Sequence, residues 1–197
     1  MRVTVVEGKV GFVRCWFPLT EFPRSLLKGL ADNESTPSVE EDARRLIEAD
    51  FPEAKAVAFV KSVCRWGGYP GVGGRVVKHN SPRAIVSAIS RAHKATLASS
   101  VREALKAMIE LKGLGVSFAS KHLKFIDPSR HVVLDQIISS RLGYPLDVDG
   151  YCQFVTDCQS VLDLLSEAKI PLPIEGRSAW RIADVEMAIY QQLRASA

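Results

Sequence analysis

The sequence predicts a mainly α fold, and three observations predict it. Apolar residues recur at a spacing near 3.6 along most of the chain beyond Ser38. Serine, proline and glycine stand where such runs start and stop. Strand-like stretches are confined to the first residues, up to about Cys15.

The elements follow in order. Val3–Val6 and Lys9–Arg14 read as short strands or extended segments, and Pro18 and Pro23 interrupt anything longer. Residues 30–38 read as an exposed loop. Ser38 with Glu41 has capping-box spacing and opens a helix carrying Ala43, Leu46 and Ile47. A second helix spans Pro52–Trp66, and the glycine-rich stretch 67–74 follows it as a loop with a basic tail of Arg75, Lys78 and His79. Ser81-Pro82 starts a helix reaching about Ala98, because proline suits a first helical turn. Ser99 or Ser100 caps the next, which carries Leu105, Met108, Ile109 and Leu111. Helical periodicity continues over 117–126, 136–142, 149–168 and 178–195.

Composition narrows the function classes. The 197 residues are 47% hydrophobic and 24% charged, enough for one domain, residues 1–197, with its own core. A formal net charge of +4 suits a polyanionic partner without specifying one. The four cysteines, Cys15, Cys64, Cys152 and Cys158, lack the spacing of a zinc or iron–sulfur site. With no signal peptide or membrane-length apolar run, the expectation is a soluble cytoplasmic protein that does not contact membranes.

The most informative stretch is Leu111-Lys112-Gly113-Leu114-Gly115-Val116-Ser117-Phe118-Ala119. A helix ends at Leu111 and another begins near Ser117. The two glycines permit positive φ in the reversal, and Leu114 turns inward. The backbone amides of Gly113, Gly115 and the following turn then face outward at a positive helix end, a nest for an anion such as a phosphate. Alone, this reads more simply as a helix–turn–helix corner with a glycine cap. Eighteen residues after Ser117 stands Asp135, at the head of the run Gln136–Leu142.

LKGLGVSFA, SKHLKFIDPSRH and VVLDQIISSRLG together resemble the helix-hairpin-helix (HhH-GPD) DNA glycosylase superfamily, most nearly its 8-oxoguanine glycosylase branch. The resemblance covers residues 99–143, with the hairpin in 99–127 and the aspartate segment in 132–143. It implies two helical lobes around a cleft, DNA as partner, a monomer, and base-excision repair in the cytoplasm, at the nucleoid in a bacterium. It implies no cofactor beyond a monovalent cation at the hairpin. It makes Asp135 catalytic: cleaving an N-glycosidic bond builds positive charge on the sugar, which a fixed carboxylate stabilises. Aspartate is also a favoured N-cap, and the two roles are compatible.

Strand-nicking members of that superfamily carry a lysine where this chain has Ser117. Serine cannot form a Schiff base, so the expectation is monofunctional excision of a damaged base, an 8-oxoguanine-like purine. Lys121, one turn on, is either a base contact and displaced nucleophile or, as the plainer expectation, an exposed lysine near phosphates. Gly113, Gly115, Ser117, His131, Arg75 and Lys78 are the candidate DNA contacts. Trp66, Trp180, Lys121 and Gln191, with Met187, are candidates for the base pocket. Two other readings stand beside this one: a non-catalytic DNA-binding protein with the same hairpin, and a helical protein-interaction module.

Overall fold

The computed structural model describes residues 3–12 and 15–195. Three strands open it, β1 (Thr4–Val6), β2 (Lys9–Phe12) and β3 (Cys15–Pro18), paired antiparallel in the order β1-β2-β3. Val10, Phe12 and Phe17 turn inward from them. A Cβ at Gly11 would lie 2.7 Å from the half-exposed Trp16 ring, which packs across the glycine from β3. Val13 and Arg14 of the expected segment Lys9–Arg14 lie outside the described residues.

Ten α-helices follow among the described residues. The first, α1 (Phe22–Ala31), falls where no helix was expected. Pro23 begins it instead of interrupting it, since proline fits a helix's first turn. The expected loop 30–38 therefore shrinks to 32–35, and α2 (Thr36–Glu48) starts before Ser38. The Ser38–Glu41 capping box does not form, because Ser38 lies inside α2, whose N-cap is Ser35, and the Glu41 carboxylate pairs with Arg44 and Arg45. Next comes α3 (Glu53–Trp66), near its expected bounds.

The glycine-rich stretch is not a loop beyond Tyr69: α4 runs Pro70–His79. One of its glycines, Gly73, serves packing. A Cβ at Gly73 would lie 3.1 Å from the Cys64 Cβ and 3.3 Å from the Lys61 Cα, so α4 crosses α3 closely only without one. Then come α5 (Pro82–Leu97) and α6 (Val101–Ile109). Ser81 caps α5 through a 3.1 Å bond from the Ala84 amide.

The centre of the fold is α7 (Val116–Ile126), in which every residue from Ala119 to Ile126 is buried. Helices α2, α3 and α6 pack around it, together with α9. After it come α8 (Gln136–Leu142), α9 (Val148–Glu167) and α10 (Ile182–Ala195). Gly143 ends α8 in the left-handed region at φ 83°. The last helix starts four residues later than the expected 178. Asp184 accepts from the Arg181 amide at 2.8 Å and pairs with the Arg177 and Arg181 side chains, which holds 178–181 out of it.

One buried apolar cluster runs from Val10 to Leu193. The four cysteines are free thiols. No helix among the described residues is long and apolar enough to cross a membrane.

Candidate active site

The reversal between α6 and α7 spans residues 110–115. Gly113 sits at φ 92°, which favours glycine, but Gly115 is extended (φ −87°, ψ 174°) and uses no glycine-only conformation. Leu114 is buried, as expected. Asn80, at the end of α4, clamps the bend from outside. Its Nδ2 donates to the Lys112 carbonyl and its Oδ1 accepts from the Lys112 amide, both at 3.0 Å. Among the described residues, the amides of Gly115, Val116 and Ser117 find no backbone acceptor. They are free to take an anion at the head of α7. Arg75 and Val76 flank Gly113, so exposed Arg75 stands beside the bend, on a helix and not the expected loop. Lys78 is exposed on the same helix. The Leu111 and Lys112 carbonyls each accept one bond inside the protein. Carbonyl oxygens of this kind suit the monovalent cation that the resemblance implies.

Asp135 heads α8, and its two oxygens divide their work. Oδ1 accepts from the Ile137 and Ile138 amides at 3.0 and 3.1 Å and caps the helix. Oδ2 faces Lys121 Nζ at 3.5 Å. The cap fixes the rotamer, so the second oxygen is held in place before any ligand arrives. Lys121 is not the exposed lysine of the plainer expectation: it is 7% exposed. Its amine bonds Ser117 Oγ at 3.3 Å and lies 5.1 Å from the centre of the Phe118 ring. Its stem passes Gly67, where a Cβ would lie 3.0 Å from Lys121 Cδ.

This pair lines a cavity of about 380 Å³ between the end of α3, the middle of α10, the head of α8 and one face of α7. That volume lies within the roughly 300–1,000 Å³ of small-ligand sites. Trp66, Ser117, Met187 and Tyr190 line it, with exposed Tyr69 and Ile137 among its walls. A second ion pair, Lys124 with Glu186, also belongs to the lining. Nζ and Oε2 are 3.9 Å apart, and both side chains are at least 95% buried. The Lys124 ammonium lies 4.7 Å from the centre of the Trp66 ring. Burial pushes Glu186 up to about 7 and draws Lys124 down, both toward neutral forms. Trp66 is steadied by its Nε1 bond to Thr36 Oγ1 at 3.0 Å.

Three expected site residues stand elsewhere. His131 is fully buried between Thr96 Oγ1 (2.8 Å) and the Tyr151 hydroxyl (3.0 Å), so it reaches no phosphate. Trp180 precedes α10 and donates to the Ile170 carbonyl, outside the cavity lining. Gln191 is 2% exposed and turned toward α1: a Cβ at Gly29 would lie 3.2 Å from its Cγ. Glu186, Lys124, Gly67 and Asn80 were missed. Glu186 left one faint signal, as a lone acid inside the apolar run Val185-Glu186-Met187-Ala188-Ile189.

Among the described residues no group of three or more His, Cys, Asp or Glu could hold a metal ion. Comparison with known protein families, with characterised proteins and with solved structures finds no match for this chain.

Proposed function

We propose that this protein is a DNA N-glycosylase that takes one extruded base into the cavity beside Asp135. The observation that carries the reading is the Asp135–Lys121 pair at 3.5 Å in the cavity wall. Lys121 of this pair lies on α7, whose unpaired N-terminal amides suit a backbone phosphate, while Asp135 heads α8. Anion grip and amine are thus placed by one helix, and the sugar-facing charge by the head of the next. The order hairpin, helix, aspartate supports kinship with the HhH-GPD superfamily, and that resemblance supports an oxidised purine as the base. A monomer acting on DNA in the cytoplasm follows from the same reading.

The chemistry divides between the two side chains. As the C1′–N bond breaks, its electron pair leaves with the base and positive charge grows on the sugar. Asp135 Oδ2 stabilises that charge. Lys121 Nζ, having given a proton to solvent, bonds to C1′ and sheds a second. The C1′–O4′ bond then opens, with a proton taken up by O4′, to give a Schiff base; loss of a C2′ proton to the Asp135 carboxylate drives β-elimination, in which the 3′ C–O bond breaks and the phosphate leaves. Ser117 cannot act this way, but burial of Lys121 against Asp135 supports the neighbouring lysine as the amine. This replaces the expectation of water as the nucleophile.

The test uses DNA with a preformed abasic site, so the identity of the excised base does not matter. Borohydride should trap a covalent protein–DNA adduct that Lys121→Ala abolishes and that a variant at an exposed lysine with no assigned role, Lys55→Ala, retains. No adduct, together with no abasic-site formation across a panel of lesion duplexes, refutes the glycosylase reading. Abasic-site formation without an adduct restores water as the nucleophile.

A further inference from the structure

The cavity holds two carboxyl groups in unlike settings. Asp135 receives two backbone amides and faces Lys121. Glu186, on α10, receives one long bond from the Val133 amide (3.4 Å) and the loose 3.9 Å contact with Lys124. Its side chain is 5% exposed, and no hydrogen bond to its Oε1 is found among the described residues. Two acids in one site with different surroundings divide acid and base work. Asp135 is occupied with the sugar and the lysine. The departing base then has one carboxyl left to face.

We infer that Glu186 is the acid that protonates the leaving base, an inference that rests on the glycosylase reading. The proton passes from the Glu186 carboxyl to a ring nitrogen of the base. The C1′–N electron pair moves onto the base, which departs neutral, and the Glu186 carboxylate regains a proton from solvent. The groups around it decide whether it holds a proton to give. Lys124 and Lys121 on α7 favour the carboxylate, whereas burial and Asp135 favour the acid. Tyr151 and Cys158 on α9 and Tyr190 on α10 also feel Glu186, and burial holds each toward its neutral form. Burial is the largest influence on Glu186 and places its titration near neutrality, where an acid catalyst is most effective.

The experiment compares two substrates in single turnover. One set is duplexes carrying a single 8-oxoguanine, hypoxanthine or uracil; the other is the same duplex with a preformed abasic site, which has no base to protonate. Glu186→Gln should slow excision about 100-fold, within the usual range for general acid catalysis. Borohydride trapping on the abasic duplex should stay within about twofold, well short of the loss that a misplaced catalytic group gives. In the wild type, the ratio of excision to trapping should fall as pH rises through about 7, and it should be flat in the variant. If Glu186→Gln does not fold, the wild-type ratio alone decides, and a flat ratio overturns the proposal. Equal loss on both substrates, or no loss on either, also overturns it. Trapping with no excision of any of the three bases overturns it too, since an abasic-site lyase has no base to protonate. Absence of both activities refutes the glycosylase reading beneath it.

Discussion

Asp135 carries two jobs that one pair of substitutions separates. In Asp135→Asn the amide oxygen still accepts from Ile137 and Ile138, and asparagine caps about as well as aspartate, so the cap is kept and only the charge facing Lys121 is lost. Asp135→Ala loses the same charge and both cap bonds, and should be about 1–2 kcal/mol less stable than the asparagine variant. Activity should divide differently. A carboxylate 3.5 Å from a unit positive charge, as Lys121 is, gains about 5 kcal/mol at an effective dielectric near 20. The side chain is 18% exposed, and solvent screening leaves roughly 3 kcal/mol of that, about a hundredfold in rate. Both variants should therefore lose about 100-fold in adduct formation on abasic DNA, where the protonated Schiff base is the positive charge beside Asp135, while the alanine variant melts earlier than the asparagine variant. Thermal unfolding by circular dichroism and single-turnover borohydride trapping measure the two effects. Asparagine trapping at the wild-type rate, or melting as early as alanine, would refute the separation of roles.

Gly67→Ala should slow trapping: φ of −72° admits alanine, but the new methyl would lie 2.9 Å from the Phe118 ring and 3.0 Å from the Lys121 stem and push both aside. Gly113→Ala should destabilise by about 1–2 kcal/mol through its left-handed φ, whereas Gly115→Ala, with open space around an extended backbone, should be nearly neutral to chemical denaturation. Arg75→Ala should weaken DNA binding alike across sequences and reduce the slope of log affinity against log salt by about one. Acid should destabilise the protein well above the carboxylate range. Burial holds His122 and His131 down to about 4, so the stability they contribute is complete above 6.5 and is lost as pH falls toward 4, at about 3 kcal/mol each. Glu186, raised to about 7, acts in the opposite sense over 7 to 4.5 with one similar contribution, so the two histidines prevail. Urea denaturation at pH 7 and pH 4.5 should show the loss, and equal stability at the two would contradict it.

Local signals were legible and long-range ones were not. The run Gln136–Leu142 is the helix observed, because an aspartate cap and a terminal glycine both speak from sequence. Ser81 caps α5 for the same reason. Pro23 and the glycines of 67–74 were misread because proline and glycine have two uses each. Proline breaks a helix interior but starts a helix, and glycine frees a loop but also lets two helices touch. Which use applies depends on whether another helix lies alongside, as α3 lies beside Gly73 and α10 beside Gly29. His131 and Gln191 failed alike: nothing local tells a buried polar group from a solvated one.

The same limit explains Lys121, and there it carries meaning. A lysine on an isolated amphipathic helix belongs to its wet face, which is why an exposed position was expected. But α7 has no wet face from Ala119 onward, since neighbours cover all of it. Two lysines on a covered helix must be neutralised or paired. Each here meets one carboxyl group, Lys121 with Asp135 and Lys124 with Glu186, and both pairs open into the same cavity. Ion pairs this deep are poor devices for stability, since apolar residues of like size serve as well or better. Their place at a cavity wall instead suits a ligand that meets charge inside a dry pocket. An extruded base and its sugar, one to be protonated and the other to turn positive, are such a ligand.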